Sequence, residues 1–273
     1  MKFQEKQIKI KGNTVSYIDE GNSEKSPLIL IHGFPFNKWI WRNQVSAFKD
    51  QYRTLAYDVR GHGNSDPGKN KYTIPLFAKD LFLFMDALQI DRAIIGGLSM
   101  GGYIALNAVS KQPERIAALA LCDSQCGPDT DQVRKGRMDT IDSIRQKGLD
   151  EYASNSIKKL FSKTSLTGKT EEVEFIKQTI LDTSKETICD TLMALAERKE
   201  TCSGLPLIRV PVLIMVGEED QITPPEAAQK MHQLIPGAQL HIIKDAGHVS
   251  NLENEESFNF QLQLFLQGFE KVN

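Results

Sequence analysis

The stretch Ile94-Ile95-Gly96-Gly97-Leu98-Ser99-Met100-Gly101-Gly102 constrains this chain more than any other. An apolar run ends in it and a helical pattern begins directly behind it. Between them lies Gly97-x-Ser99-x-Gly101, a serine on a tight strand-to-helix turn that reads as a nucleophile elbow. Glycines two before and two after the serine leave room for neighbouring backbone where a β-carbon would clash. The turn lifts the hydroxyl above a helix N-terminus, whose free N–H groups favour a developing negative charge. A glycine-rich turn with an incidental serine would look the same in isolation. The stretch contains neither Gly-x-Gly-x-x-Gly nor Gly-Lys-Ser/Thr, so neither a dinucleotide loop nor a P-loop fits it. A histidine and an acid in the right places would decide the matter.

The rest of the chain supplies a frame for such a turn. Residues 3–10 alternate, Gly12-Asn13 reads as a hairpin turn, and residues 14–19 form the return strand. Pro27 to Ile31 is a continuous apolar run, as expected for a strand buried on both faces. A helix over 39–48, a strand over 52–58, a helix over 74–88 capped by Thr73, a strand over 93–95, a helix over 100–110 and a strand over 116–122 follow. From Ser124 to Leu205 the strand rhythm stops, and apolar residues recur at three and four. Strands return at 210–216 and 239–243, with helices at 224–235 and 253–269. This order implies a mostly parallel sheet with helices on both faces. Residues 124–205 are expected to form a helical cap inserted in a core made of 1–123 and 206–273. In such sheets ligands bind beyond the carboxyl ends of the strands.

Of the five histidines, His32 and His62 lie in loops, His232 on a helix and His241 inside a strand. His248 is the one that follows the elbow in a strand-end loop, which fits a general base in the order nucleophile, acid, histidine. Asp220, after the strand at 212–216 and before a proline-capped helix start, is the favoured acid. Asp123, at the end of the strand after the elbow helix, is next, with Glu218 and Glu219 nearby. Asp58 ends a strand but precedes the serine, so a structural turn role is expected for it. A serine needs a base to take its proton, and an imidazole needs a carboxylate to fix its tautomer. A tetrahedral oxyanion needs two aimed N–H groups, expected from the backbones of Met100 and Phe34.

These pieces together resemble the α/β-hydrolase fold superfamily. The resemblance rests on His32-Gly33-Phe34-Pro35 with Trp41, the loop from Asp58 to Asp66, the elbow, Gly217-Glu-Glu-Asp220 with Pro224-Pro225, and Gly247-His248. Several stretches are more narrowly similar to its 3-oxoadipate enol-lactonase-like and carboxylesterase branch: Gly97 to Tyr103, Leu121-Cys-Asp123-Ser, Asp129-Thr130, and Gly247 to Asn254. The resemblance implies an eight-stranded sheet and cleavage of a carboxylic ester or lactone through an acyl-enzyme. C–C hydrolysis or perhydrolysis on the same triad, or a slow-turnover signalling receptor of the same fold, are the competing readings. Ser99 argues against dehalogenase and epoxide hydrolase chemistry, which place an aspartate at the elbow. For the pocket, the cap offers Met138, Tyr152, Leu160, Phe161 and Met193, though packing of the cap on itself is expected for most of them. A di-acid substrate would want Arg134, Arg137 or Lys159, for which an exposed cap face is the simpler fate.

The totals exclude several classes. A net charge of −2 steers the chain toward neither nucleic acid nor an acidic membrane, and no apolar run reaches the roughly 20 residues of a membrane helix. The N-terminal residues carry no apolar signal core. The four cysteines show no Cys-x-x-Cys pair, so reduced thiols in a cytoplasmic protein are expected, with Cys122 a packed hydrophobe. No His/Cys cluster has ligand spacing, so neither a metal nor a cofactor is expected. The expected partner is a small-molecule ester or lactone, met by a monomer or homodimer.

Overall fold

The computed structural model describes residues 3–270. Its first hairpin pairs β1 (Lys6–Ile10) with β2 (Asn13–Glu20), and Ile10 stands opposite Asn13. The two loop residues are Lys11 and Gly12, both at left-handed φ, 49° and 86°, as the primed hairpin turns demand. The turn thus sits one residue earlier than expected, because Asn13 joins the ladder.

The apolar runs become β3 (Pro27–Ile31), β4 (Arg53–Tyr57), β5 (Ala93–Leu98), β6 (Ile116–Cys122), β7 (Val212–Gly217) and β8 (Gln239–Ile243). They form one eight-stranded sheet in the order β1-β2-β4-β3-β5-β6-β7-β8. β2 meets its neighbours antiparallel, and every pair from β4 to β8 is parallel. β5 and β6 are buried along their whole length, as strands covered on both faces must be.

Helices cover both faces. A 3-10 turn at Lys38–Trp41 leads into α1 (Arg42–Phe48). α2 (Ile74–Ala87) starts where the Thr73 hydroxyl accepts from the Leu76 N–H, with Pro75 in the first turn. α3 (Met100–Lys111) begins on the residue after Ser99. On one face Phe77, Leu81 and Ile104 pack against Ile29, Ile95 and Leu119; on the other, Trp41, Phe258 and Leu262 pack against Leu30, Ala120 and Leu213.

Between β6 and β7 every element is helical: α4 (Asp131–Lys147), α5 (Asp150–Leu160), α6 (Ser165–Gly168), α7 (Thr170–Asp182), α8 (Lys185–Ala196) and a 3-10 turn at Cys202–Leu207. The chain closes with α9 (Pro225–Leu234), α10 (Ser250–Glu253) and α11 (Glu255–Glu270). The insertion's apolar stripes face inward: Ile141, Ala153, Ile157, Ile176, Ile180, Ile188 and Leu192 are buried in one cluster with the lower sheet face.

One expectation is overturned. Cys126 and Cys202 are joined in a disulfide, and only Cys122 and Cys189 are free and buried thiols. The two segments that connect the insertion to the sheet run side by side, with the Thr201 N–H donating to the Cys126 carbonyl at 2.8 Å. A separation of 76 residues hides that proximity in the sequence. The cytoplasmic reading loses the support it took from reduced thiols, since disulfides persist in oxidising surroundings. No helix among the described residues is long and apolar enough to cross a membrane.

Candidate active site

The site is built at the carboxyl edge of the sheet. β5 ends in Leu98, and Ser99 turns the chain into α3 with φ 51° and ψ −112°. An ordinary L-residue avoids that region, so the turn must be held by its surroundings. A β-carbon at position 97 would lie 2.3 Å from the Gly101 carbonyl oxygen, and one at 101 would lie 2.2 Å from that of Ile31. Both elbow glycines are therefore required by close backbone approach.

The structure brings Ser99, His248 and Asp220 together from three different strand ends. The Ser99 hydroxyl lies 2.8 Å from His248 Nε2, and His248 Nδ1 lies 2.8 Å from Asp220 Oδ2. All three residues are buried. Asp220 is fixed from its other side: its Oδ1 accepts from the Ile222 and Thr223 N–H groups at 2.8 and 3.0 Å, and the Thr223 hydroxyl donates to Oδ2 at 2.8 Å. With Nδ1 donating to the carboxylate, Nε2 is left as the acceptor that faces the serine.

The electrostatics follow this geometry. Burial opposes ionisation of Asp220, but His248 and the two backbone N–H groups outweigh it and hold the carboxyl below its ordinary value. Burial likewise opposes charge on His248, yet the Asp220 carboxylate against Nδ1 lifts the imidazole above its ordinary value. The site is thus arranged to accept a proton from the serine.

The backbone N–H groups of Phe34 and Met100 donate to no other group in the loop and turn hydrogen bonds of the described residues. The loop carrying Phe34 is held beneath by His32, whose Nε2 accepts from the Val59 N–H at 2.9 Å and whose Nδ1 donates to the Gly33 carbonyl at 2.8 Å. Burial pushes the His32 imidazole down to about 4 and that of His62 to about 3, so both stay neutral props. His232 is exposed on α9 and His241 stands in β8, away from the triad.

The competing acids have other tasks. Asp58 accepts from the Lys38 backbone N–H and Nζ, both at 2.7 Å, and from the Asn64 N–H at 2.9 Å. It is the structural turn residue expected. Glu218 and Glu219 point outward. Asp123 is fully buried and bonds the Gly217 N–H and the Ser250 hydroxyl, not the imidazole. In the insertion, Met138, Tyr152, Leu160, Phe161 and Met193 all belong to or line the apolar cluster below it. Arg137 is engaged by Asp129, Arg134 donates to the Ala196 carbonyl, and Lys159 is exposed.

Sequence reasoning did not single out Thr223 or Glu253. Thr223 supports Asp220, and its place three residues on, before the prolines, was the available signal. Glu253 accepts from the Gly247 N–H and the Ser162 N–H, both at 2.8 Å, and so ties the His248 loop to the insertion. A glutamate at a helix start gives no such sign in a sequence.

Comparison with known proteins agrees with this geometry. The chain is 27% identical over 255 residues to the 3-oxoadipate enol-lactonase 2 of Acinetobacter baylyi, covering 93% of this chain and 94% of that one. Its fold superposes on a thermophilic esterase from Thermogutta terrifontis with a TM-score of 0.91 at 30% identity, covering 97% and 99% of the two chains. For an enol-lactonase from Burkholderia xenovorans the TM-score is 0.90 at 27% identity, with coverage of 96% and 100%. The family model for the alpha/beta hydrolase fold matches residues 26–255. With the elbow, the sheet order and the helical insertion all in place, this chain belongs to the alpha/beta hydrolase fold family.

Proposed function

We propose that the protein is a serine hydrolase that cleaves a carboxylic ester or lactone through an acyl-enzyme on Ser99. The observation that carries this reading is the unbroken chain of hydrogen bonds from Ser99 Oγ through His248 to Asp220, 2.8 Å at each link. In this mechanism His248 Nε2 takes the serine proton as Oγ attacks the carbonyl carbon. Asp220 stabilises the imidazolium, and the N–H groups of Phe34 and Met100 receive the oxyanion. The imidazolium then gives its proton to the leaving alkoxide. Water, activated by the same imidazole, releases the acid and restores Ser99.

Residues 124–205 would form the lid over this site, on a core of 1–123 and 206–273. The enol-lactonases and the esterase among its relatives support the ester or lactone class. Arg198 and Arg137, the least exposed cations of the lid, are both held by Asp129, which favours an uncharged acyl group of small or medium size. Purified protein should hydrolyse p-nitrophenyl acetate or butyrate with a burst of one nitrophenolate per active site, and Ser99→Ala should abolish it. Activity retained in Ser99→Ala would overturn the reading. A panel of esters, lactones and vinylogous diketones then separates ester from C–C cleavage.

A further inference from the structure

The end of β6 carries two adjacent polar residues, Asp123 and Ser124, that the triad chemistry leaves unused. Asp123 is fully buried and Ser124 nearly so. Asp123 takes a left-handed φ of 45°, which turns its side chain under the neighbouring loops. Its Oδ1 accepts from the Gly217 N–H at 2.8 Å, three residues before Asp220. Its Oδ2 and the Ser250 hydroxyl, two residues after His248, share a hydrogen bond of 2.5 Å. The Ser124 hydroxyl donates to the carbonyl of Ser99 at 2.9 Å. The backbone repeats the pattern: the Ser99 N–H donates to the Cys122 carbonyl, and the Asp123 N–H donates to the Met215 carbonyl, both at 2.8 Å.

We propose that Asp123 and Ser124 are positioning residues that register the three loops carrying Ser99, Asp220 and His248, with Asp123 as the bracket between the last two. This rests on the proposed serine hydrolase reading. Among the described residues, the side chains of this adjacent pair reach all three loops from one strand end. Asp123 ties the Asp220 loop to the His248 loop from a third element, and Ser124 holds the Ser99 loop to that same element; Thr223, which reaches the Asp220 carboxylate and the His248 ring, leaves the Ser99 loop untouched.

The charge state follows from the surroundings. Asp123 faces Asp220 and His248 and adjoins Cys122; His248 in turn faces Asp220, Asp123 and Glu253. Two carboxyl groups buried side by side do not both ionise readily. Asp220 touches the imidazole and is held ionised by it. Burial, and then the Asp220 charge, push the Asp123 carboxyl well above the usual carboxylate range. Asparagine is therefore its near-isostere in shape and charge. It can accept from Gly217 with its carbonyl oxygen and donate to Ser250 with its amide.

The test compares Asp123→Ala, Asp123→Asn, Ser124→Ala and Ser250→Ala with the wild type, using a p-nitrophenyl ester and a fluorophosphonate that labels the nucleophile. Asp123→Ala should lower kcat by about 10–100-fold with KM within about twofold, because a misplacement near 1 Å costs that much. The phosphonate labelling rate should fall in parallel. Asp123→Asn should recover most of this loss and leave the acidic limb of the kcat/KM profile where the wild type has it. Ser124→Ala and Ser250→Ala, each removing one arm, should show smaller losses of the same kind and keep the test open if Asp123→Ala does not fold. A second readout is the proton NMR signal of the His248–Asp220 hydrogen bond, which does not require turnover. It should persist in Asp123→Asn and in Ser99→Ala, and broaden or shift in Asp123→Ala.

A folded Asp123→Ala with wild-type kcat and an unmoved NMR signal would overturn the bracket. So would an Asp123→Asn variant whose acidic limb moves to lower pH by a unit, because the lost charge would then have been supporting the imidazolium. If Ser99→Ala still hydrolyses the ester, the hydrolase reading falls, while the NMR comparison continues to test the bracket.

Discussion

At the scale of single residues, the clearest contrast is between Asp220 and Asp58, two buried strand-end acids with different partners. Asp220 faces an imidazole, so Asp220→Asn should lower kcat by roughly 10³–10⁴-fold while the fold persists, as loss of the tautomer-fixing carboxylate does elsewhere. His248 must be neutral to act, and its imidazole lies above the ordinary value. The kcat/KM of the wild type should therefore fall with decreasing pH through a midpoint above that of free histidine. A pH–rate profile with its midpoint below that value would count against His248 as the base. Asp58 faces the buried ammonium of Lys38 instead, at 2.7 Å, with Glu5 at 2.9 Å on the same nitrogen. Lys38→Met removes that charge and strands a carboxylate, so unfolding in urea should show a loss of about 3–5 kcal/mol. The meeting of Ser99, Asp220 and His248 was legible because each ends a strand pattern in a recognisable loop. Lys38 was not, since a lysine beside two tryptophans gives no sign that it will be buried.

At the scale of elements, the insertion was legible by its three- and four-residue periodicity, and each expected apolar face is a buried one. Its attachment was not, because it depends on contacts between segments far apart in the chain. The neck is held by the Cys126–Cys202 disulfide and by Arg198, which bonds Asp129 and the Gly127 carbonyl and lies with its guanidinium 4.6 Å from the centre of the Tyr103 ring. Closing a loop of 76 residues restricts the unfolded chain strongly. Reduction, or the pair Cys126→Ser and Cys202→Ser, should lower stability by about 2–4 kcal/mol. Thermal unfolding with and without dithiothreitol measures this, and an unchanged midpoint would mean that the neck bonds alone suffice.

At the scale of the whole molecule, the mostly parallel sheet with helices on both faces was legible because continuous apolar runs separated by amphipathic helices admit few topologies. The placement of His32 and His62 was not; both belong to loops, yet the closed carboxyl edge buries them fully. Their imidazoles titrate near 4 and near 3 in the folded protein. Both values lie below that of an unfolded histidine, so between them the unfolded chain binds more protons and stability falls as pH falls. From pH 7 to 5 each histidine should contribute a loss of roughly 2 kcal/mol. His62→Gln should flatten that slope by one histidine's share, measured by urea unfolding at the two pH values. An equal slope in variant and wild type would contradict the burial.

One glycine carries a further consequence. A β-carbon at Gly247 would lie 2.8 Å from the Ser162 nitrogen and 2.9 Å from the Leu160 carbonyl oxygen. The insertion therefore lies directly on the segment that carries His248, and the His248 N–H donates to the Leu160 carbonyl at 2.8 Å. Swinging the insertion away at this edge would break that bond and the one to Glu253, and would release the imidazole from its alignment. The seating of the insertion and the alignment of His248 are thus interlocked at this edge.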